Sequence, residues 1–126
     1  MGKTNKKILI IEDEPSLLKA LGHNLAKAGF EVLTAKNGRE GWGKVCLEPD
    51  LVLLDLMLPE MSGEQILKLM NENGLIKKIP VIVLSVKGDE ASKQNCQKVW
   101  GAKEYLVKSS NTLEEIMNKI NKLLKS

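Results

Sequence analysis

The residues best able to do chemistry stand where short apolar runs end. ILII (Ile8 to Ile11) is closed by Glu12-Asp13-Glu14, DLVLLDL (Asp50 to Leu56) holds Asp55 after a stretch of aliphatics, VIVLS (Val81 to Ser85) ends in a hydroxyl, and EYLV (Glu104 to Val107) runs straight into Lys108. A carboxylate inside LVLLDLMLP is costly to bury unless it meets polar partners, so Asp55 belongs at a strand end and not between apolar layers. If Glu12 and Asp13 share its crevice, two unit charges about 4 Å apart repel by roughly 4 kcal/mol at an effective dielectric of about 20. Such a cluster calls for a cation. Lys108 supplies one charge, and an oxygen-rich site without sulfur or histidine suits Mg²⁺, which takes one or two carboxylates and keeps waters or phosphate oxygens. Taken singly, Glu14, Asp50 and Asp89 read as helix caps and loop acids, favoured near helix N-termini. Only the joint placement of Asp13, Asp55, Ser85 and Lys108 points to a site.

Five apolar runs, the fifth being FEVLTA (Phe30 to Ala35), alternate with helix-length segments. After Pro15, Leu17, Leu18, Leu21, Leu25 and Ala28 recur at helical spacing until Gly29, a stop signal. The last segment places Leu113, Ile116, Met117, Ile120, Leu123 and Leu124 on one side, with a capping-box pattern from Thr112 to Glu115 at its start. Ser62 to Asn73, closed by Gly74, and Asp89 to Trp100, capped by Asp89 and stopped by Gly101, predict two more helices. Asn37 to Leu47 is predicted helical but the least stable, because Gly41 and Gly43 each cost about 1 kcal/mol relative to alanine. ILII, LVLL and VIVL are continuously apolar, the mark of interior strands covered on both faces. Strand and helix alternation with right-handed crossovers therefore predicts an α/β fold, a doubly wound five-stranded parallel sheet between two helical layers. In such sheets ligands bind beyond the carboxyl ends of the strands, where the acids, the serine and the lysine fall.

The 126 residues, 43% hydrophobic and 28% charged, suit one domain spanning 1–126, with its core at about 6–125. No apolar stretch approaches a membrane span, and the opening MGKTNKKILII moves from lysines into a short run that stops at acids, so neither a signal peptide nor an anchor is expected. Cys46 and Cys96 form no CxxC or Cys/His cluster, which argues against a disulfide framework or zinc site and favours a reducing, cytoplasmic setting. The net charge of +3 is spread along the chain. Arg39 is the sole arginine and aromatics are scarce, so neither groove reading nor base stacking is expected, and no direct nucleic-acid contact.

Through IEDEP, DLVLLDLMLPEMSG, VIVLS and GAKEYLVK, in that order, the sequence resembles the receiver domain of two-component response regulators. The resemblance implies a flavodoxin-like (βα)₅ fold with strand order 2-1-3-4-5. It implies that Asp55 is the phosphoacceptor, that Glu12, Asp13, Asp55 and the main-chain carbonyl of Met57 hold Mg²⁺, and that Lys108 and Ser85 contact phosphoryl oxygens. Charge placed on those oxygens during transfer is met by positioning and neutralisation. The donor implied is the phosphohistidine of a histidine kinase or histidine phosphotransfer protein. Ser85 and Tyr105 match the family's switch pair, and a downstream effector protein would read the face built from the fourth helix, fifth strand and fifth helix. The protein would be a signalling switch of the stand-alone type, not an enzyme beyond its own phosphoryl transfer and slow self-dephosphorylation.

Some positions depart from the pattern. Ser109 follows Lys108 where the family usually has proline, and the SSNT link to the last helix is short. Val86 replaces a small residue after the hydroxyl, so slow loss of phosphate is expected. Lys103 stands where many DNA-binding members carry an acid of their dimer surface, which speaks against that pairing mode. The chain leaves no room for a helix-turn-helix output domain, so output is expected through a partner unless the sequence is a piece excised from a larger protein. His23 reads as a solvated helical residue, not a phosphoryl donor. Trp42 and Trp100 read as core or interface edges, and Cys96 as packing. A receiver-like interaction module that does not use phosphorylation is the alternative reading. A phosphatase of the haloacid-dehalogenase type is disfavoured, because Met57 occupies the place of its second acid.

Overall fold

The structure, a computed structural model, describes residues 6–86, 88 and 90–124. The strands are β1 (Lys7–Ile11), β2 (Glu31–Ala35), β3 (Leu51–Asp55), β4 (Val81–Ser85) and β5 (Glu104–Val107). The helices are α1 (Pro15–Lys27), α2 (Gly38–Val45), α3 (Gly63–Glu72), α4 (Glu90–Gln94) and α5 (Leu113–Leu124). All strand pairs are parallel, in the order β2-β1-β3-β4-β5. This is the doubly wound, flavodoxin-like order that the motifs imply.

Alternation along the strands explains the two layers. Leu9, Ile11, Val52, Leu54, Val81 and Val83 face one side and pack with Val45 of α2 and Ile66, Leu67 and Met70 of α3. Ile8, Ile10, Leu51, Leu53, Ile82 and Leu84 face the other and pack with Leu21 and Leu25 of α1 and Ile116 and Ile120 of α5. Covered on both faces, β3 and β4 are buried at every position, as their unbroken apolar runs predict, and β1 at all but Lys7. Apart from Lys7 at the start of β1, exposed or partly exposed strand positions fall on the edge strands β2 and β5.

Helix ends follow the local chemistry. At α5 the Glu115 N–H donates to Thr112 Oγ1 (3.1 Å) while the Thr112 N–H donates to Glu115 Oε1 (2.7 Å), completing the predicted capping box. Ser62 and Gln65 form a second such box at α3. Gly29 and Gly74 end α1 and α3 with φ of +100° and +73°, a left-handed posture only glycine takes without strain.

The segment predicted as one helix from Asp89 to Trp100 differs. Asp89 lies outside the described residues, and after Gln94 the helix widens into a π-helical turn, Asn95–Val99. Cys96 is that turn's one buried residue. Wider winding lets the Trp100 N–H reach Asn95 O (3.0 Å) and the Ala102 N–H reach Cys96 O (2.8 Å), closing the segment against β5 while Cys96 stays in the core. Burial, with the charge of Glu64 adding, pushes the Cys96 thiol up to about 11. That suits a packing role. Trp42 and Trp100 both lie partly buried against the same core, and His23 is exposed.

The two α2 glycines prove unequal. A Cβ on Gly41 would lie 2.8 Å from Ile11 Cδ1, whereas one on Gly43 would meet nothing within 4 Å. Gly43→Ala is therefore expected to stabilise the protein by about 0.5–1 kcal/mol in urea unfolding, the helix-propensity difference alone. Gly41→Ala is expected to lower the unfolding midpoint, since overpacking outweighs propensity.

Candidate functional site

Parallel pairing brings the chemistry to one sheet edge. Ile11 is level with Ala35 and Leu54, Asp55 with Leu84, and Ser85 with Val107, so Glu12, Asp55, Ser85 and Lys108 end neighbouring strands. Glu12 (1% exposed), Asp55 (3%) and Ser85 (2%) are the buried polar residues of the described chain. Asp13 is exposed, but its carboxylate belongs to a trio with Glu12 and Asp55 whose oxygens lie within 4.8 Å of one another.

Lys108 joins the acids. Its Nζ lies 2.9 Å from Glu12 Oε1 and donates to Asp55 Oδ2 at 3.3 Å. The other Glu12 oxygen accepts the Glu14 N–H (3.1 Å), and Asp55 Oδ1 accepts the Met57 N–H (3.0 Å). Both carboxylate planes are thus fixed. Burial holds the Glu12 carboxyl above its ordinary range and the charge of Asp55 adds to this, while the Lys108 contact and the Glu14 N–H pull the other way. Burial also pulls the Lys108 ammonium down, but its close contact with Glu12 and the charges of Asp55 and Glu12 outweigh it, and the ammonium titrates above its ordinary value.

The donor set fits a hard divalent cation. Three carboxylates meet one ammonium, every candidate donor atom is oxygen, and Glu12 Oε1 accepts no aligned hydrogen bond although Lys108 is near. Met57 sits beside the trio through its main chain, with its side chain 60% exposed.

The remaining predicted residues lie close by. Tyr105 on β5 is 7% exposed, and its hydroxyl donates to Ser92 Oγ on α4 (3.2 Å). Ser109 continues Lys108 into a 3₁₀ turn, Lys108–Ser110, and the described residues contain no cis peptide bond. Val86 is 60% exposed just past Ser85.

Two residues escaped the sequence reading. A Cβ on Gly63 would lie 2.5 Å from Asp55 O and 2.7 Å from Leu56 Cα, so α3 begins directly against the backbone of the central acid. A Cβ on Gly38 would lie 1.7 Å from Met61 O. Glycine placed just after a capping residue, in Asn37-Gly38 and Ser62-Gly63, was the available signal.

With its folded pKa raised, Glu12 binds its proton more readily in the folded than in the unfolded protein. Stability therefore falls as pH rises from the ordinary value of 4.5 through the raised one. Lys108→Met is expected to widen that window, so the variant loses more stability at neutral than at mildly acidic pH. Urea unfolding at both pH values checks this; an equal loss at both would contradict it.

The family model for the response regulator receiver domain matches residues 8–121. The alkaline phosphatase synthesis transcriptional regulatory protein PhoP of Bacillus subtilis is 37% identical over 105 residues, covering 82% of this chain and 42% of that protein. Protein PilH of Pseudomonas aeruginosa is 34% identical over 123 residues, covering 94% of this chain and 97% of PilH. Among solved structures, response regulator protein TrrA of Thermotoga maritima, in complex with Mg²⁺-BeF, superposes with a TM-score of 0.80 at 34% identity, over 94% of this chain and 99% of that one. The chain spans about half the length of several curated relatives it matches, 42% and 52% for the first two. No helix among the described residues is long and apolar enough to cross a membrane.

Proposed function

The chain belongs to the response regulator receiver domain family, and from that premise we propose that it is a phosphorylation-dependent signalling switch with Asp55 as its phosphoacceptor. The supporting observation is the buried Asp55 carboxylate, held at one oxygen by the Met57 N–H and at the other by Lys108, within 4.8 Å of the Glu12 and Asp13 oxygens. Such a group is oriented before its reaction partner arrives.

The donor is the phosphohistidine of a histidine kinase or histidine phosphotransfer protein. An Asp55 oxygen bonds to phosphorus as the phosphorus–nitrogen bond breaks, and the electron pair returns to the imidazole nitrogen, which takes a proton from solvent. Lys108 holds its positive charge beside the acceptor throughout, and the Ser85 hydroxyl at the end of β4 serves a phosphoryl oxygen. Glu12, Asp13, Asp55 and the Met57 carbonyl would hold Mg²⁺, which when bound supplies the charge neutralisation that one ammonium against three carboxylates lacks.

The phosphoryl group adds about −1.5 to −2 charge and strong acceptor oxygens at the end of β3. Ser85 is drawn toward it. Because Ser85 leads through Val86 toward α4, and Tyr105 is tied to α4 by its bond to Ser92, that movement reaches the α4–β5–α5 face offered to an effector. Val86, bulky at the mouth of the site, limits the water that releases phosphate.

Incubation with Mg²⁺ and acetyl phosphate is expected to add one phosphoryl group by intact mass, and Asp55→Asn is expected to abolish the addition. An unmodified wild-type protein would overturn this reading in favour of a phosphate-independent interaction module. Val86→Ala is expected to shorten the lifetime of the phosphorylated form; a lifetime unchanged or lengthened would contradict the gating role.

A further inference from the structure

The loop between β3 and α3, residues 56–62, carries Met57 and therefore the backbone that faces Asp55. Two glycine helix starts grip it. At one end, the Gly63 N–H donates to Leu56 O (3.1 Å), with no room for a Cβ against Asp55 O. In the middle, the Gly38 N–H donates to Pro59 O (3.1 Å), and a Cβ there would overlap Met61 O at 1.7 Å and Met61 Cβ at 2.6 Å. The obstruction at Gly38 is chiefly backbone, which no rotamer change relieves.

The gripped loop is itself held in an uncommon posture. Glu60 sits at φ +67°, a left-handed conformation rare for a residue with a Cβ, and the Met61 N–H turns back to Pro59 O (2.8 Å). Arg39, next to Gly38, lies 3.7 Å from Glu60 Oε1. The gripping helix is fixed in turn, because Asn37 Oδ1 accepts the Glu40 N–H (2.8 Å) and Glu40 Oε1 accepts the Lys36 N–H (2.8 Å). A posture of this kind persists only where its surroundings over-determine it.

We propose that Gly38 is a positioning residue of the phosphoacceptor site: by letting α2 close onto Pro59–Met61, it holds the loop in the one posture that aims the Met57 main chain at Asp55 and at a divalent cation. The inference rests on the reading that Glu12, Asp13, Asp55 and Met57 form the cation site. It assigns the start of α2, which contributes none of those four residues, a share in setting that site's affinity.

The test is a titration of the full chain with MgCl₂ followed by backbone amide NMR shifts, together with hydrogen exchange of the Met57 amide in metal-free buffer. Gly38→Ala is expected to weaken Mg²⁺ binding about tenfold or more, the usual effect of losing outer support for a metal ligand, and to speed Met57 exchange. Val45→Ala removes buried core from the same helix and is expected to lower stability without either effect. Should Gly38→Ala fail to fold, Glu60→Val, a β-branched residue forced to positive φ on an exposed loop, is expected to show the same two changes. Wild-type affinity in Gly38→Ala or Glu60→Val, or equal weakening in Val45→Ala, overturns the clamp. A wild-type protein that shows no Mg²⁺ saturation overturns the underlying cation-site reading instead, and Met57 exchange then decides the clamp alone.

Discussion

One buried ion cluster governs this architecture: Glu12 and Asp55, almost without solvent, share the ammonium of Lys108 at 2.9 and 3.3 Å. Taking such charges out of water costs several kcal/mol per ion, and a single cation between two acids, with a third carboxylate close by, leaves negative charge in excess. Apolar packing alone would disfavour this edge of the sheet. The rest of the fold supplies the stability that lets the cluster persist. The interior strands β1, β3 and β4 are covered on both faces, and the backbone N–H groups of Glu14 and Met57 each satisfy one carboxylate oxygen of the pair.

Stiff connections tie the end of β3, where Asp55 sits, to its neighbouring strands. Parallel pairing locks Asp55 to Leu84 and Ser85 to Val107, so the ends of β3, β4 and β5 cannot shift independently. The give lies in the segments beyond them. Helix α4 is a short regular helix that runs into the π-helical turn Asn95–Val99, and it is attached to β5 through Ser92 and Tyr105. The loop after β3 is the opposite case, pinned at its end and its middle by glycine contacts.

Much of this was legible in the sequence. Unbroken apolar runs marked the interior strands, helical spacing marked α1 and α5, and the residues closing the runs marked the site edge, because β-sheet topology leaves few places for a carboxylate after four aliphatics. Strand order came through the resemblance and not from periodicity. The winding of α4 was hidden, since a helical pattern with one buried residue, Cys96, constrains the helix too weakly to reveal an extra residue per turn. The role of the α2 glycines was also hidden. Propensity alone scores Gly41 and Gly43 alike, and only the distance to Ile11 separates them. Gly38, which faces a backbone oxygen distant in sequence, carries no signal beyond its place after a capping asparagine.

The central claim is that Glu12 is a buried anion held in check by Lys108 and completed by a divalent cation. The most direct measurement is a carboxyl ¹³C NMR pH titration of Glu12, Asp13 and Asp55 with and without Mg²⁺. The account predicts that Glu12 titrates above its ordinary value of 4.5 in metal-free buffer and that Mg²⁺ moves the midpoint down. A Glu12 that titrates at its ordinary value, with carboxyl shifts indifferent to Mg²⁺, would contradict it.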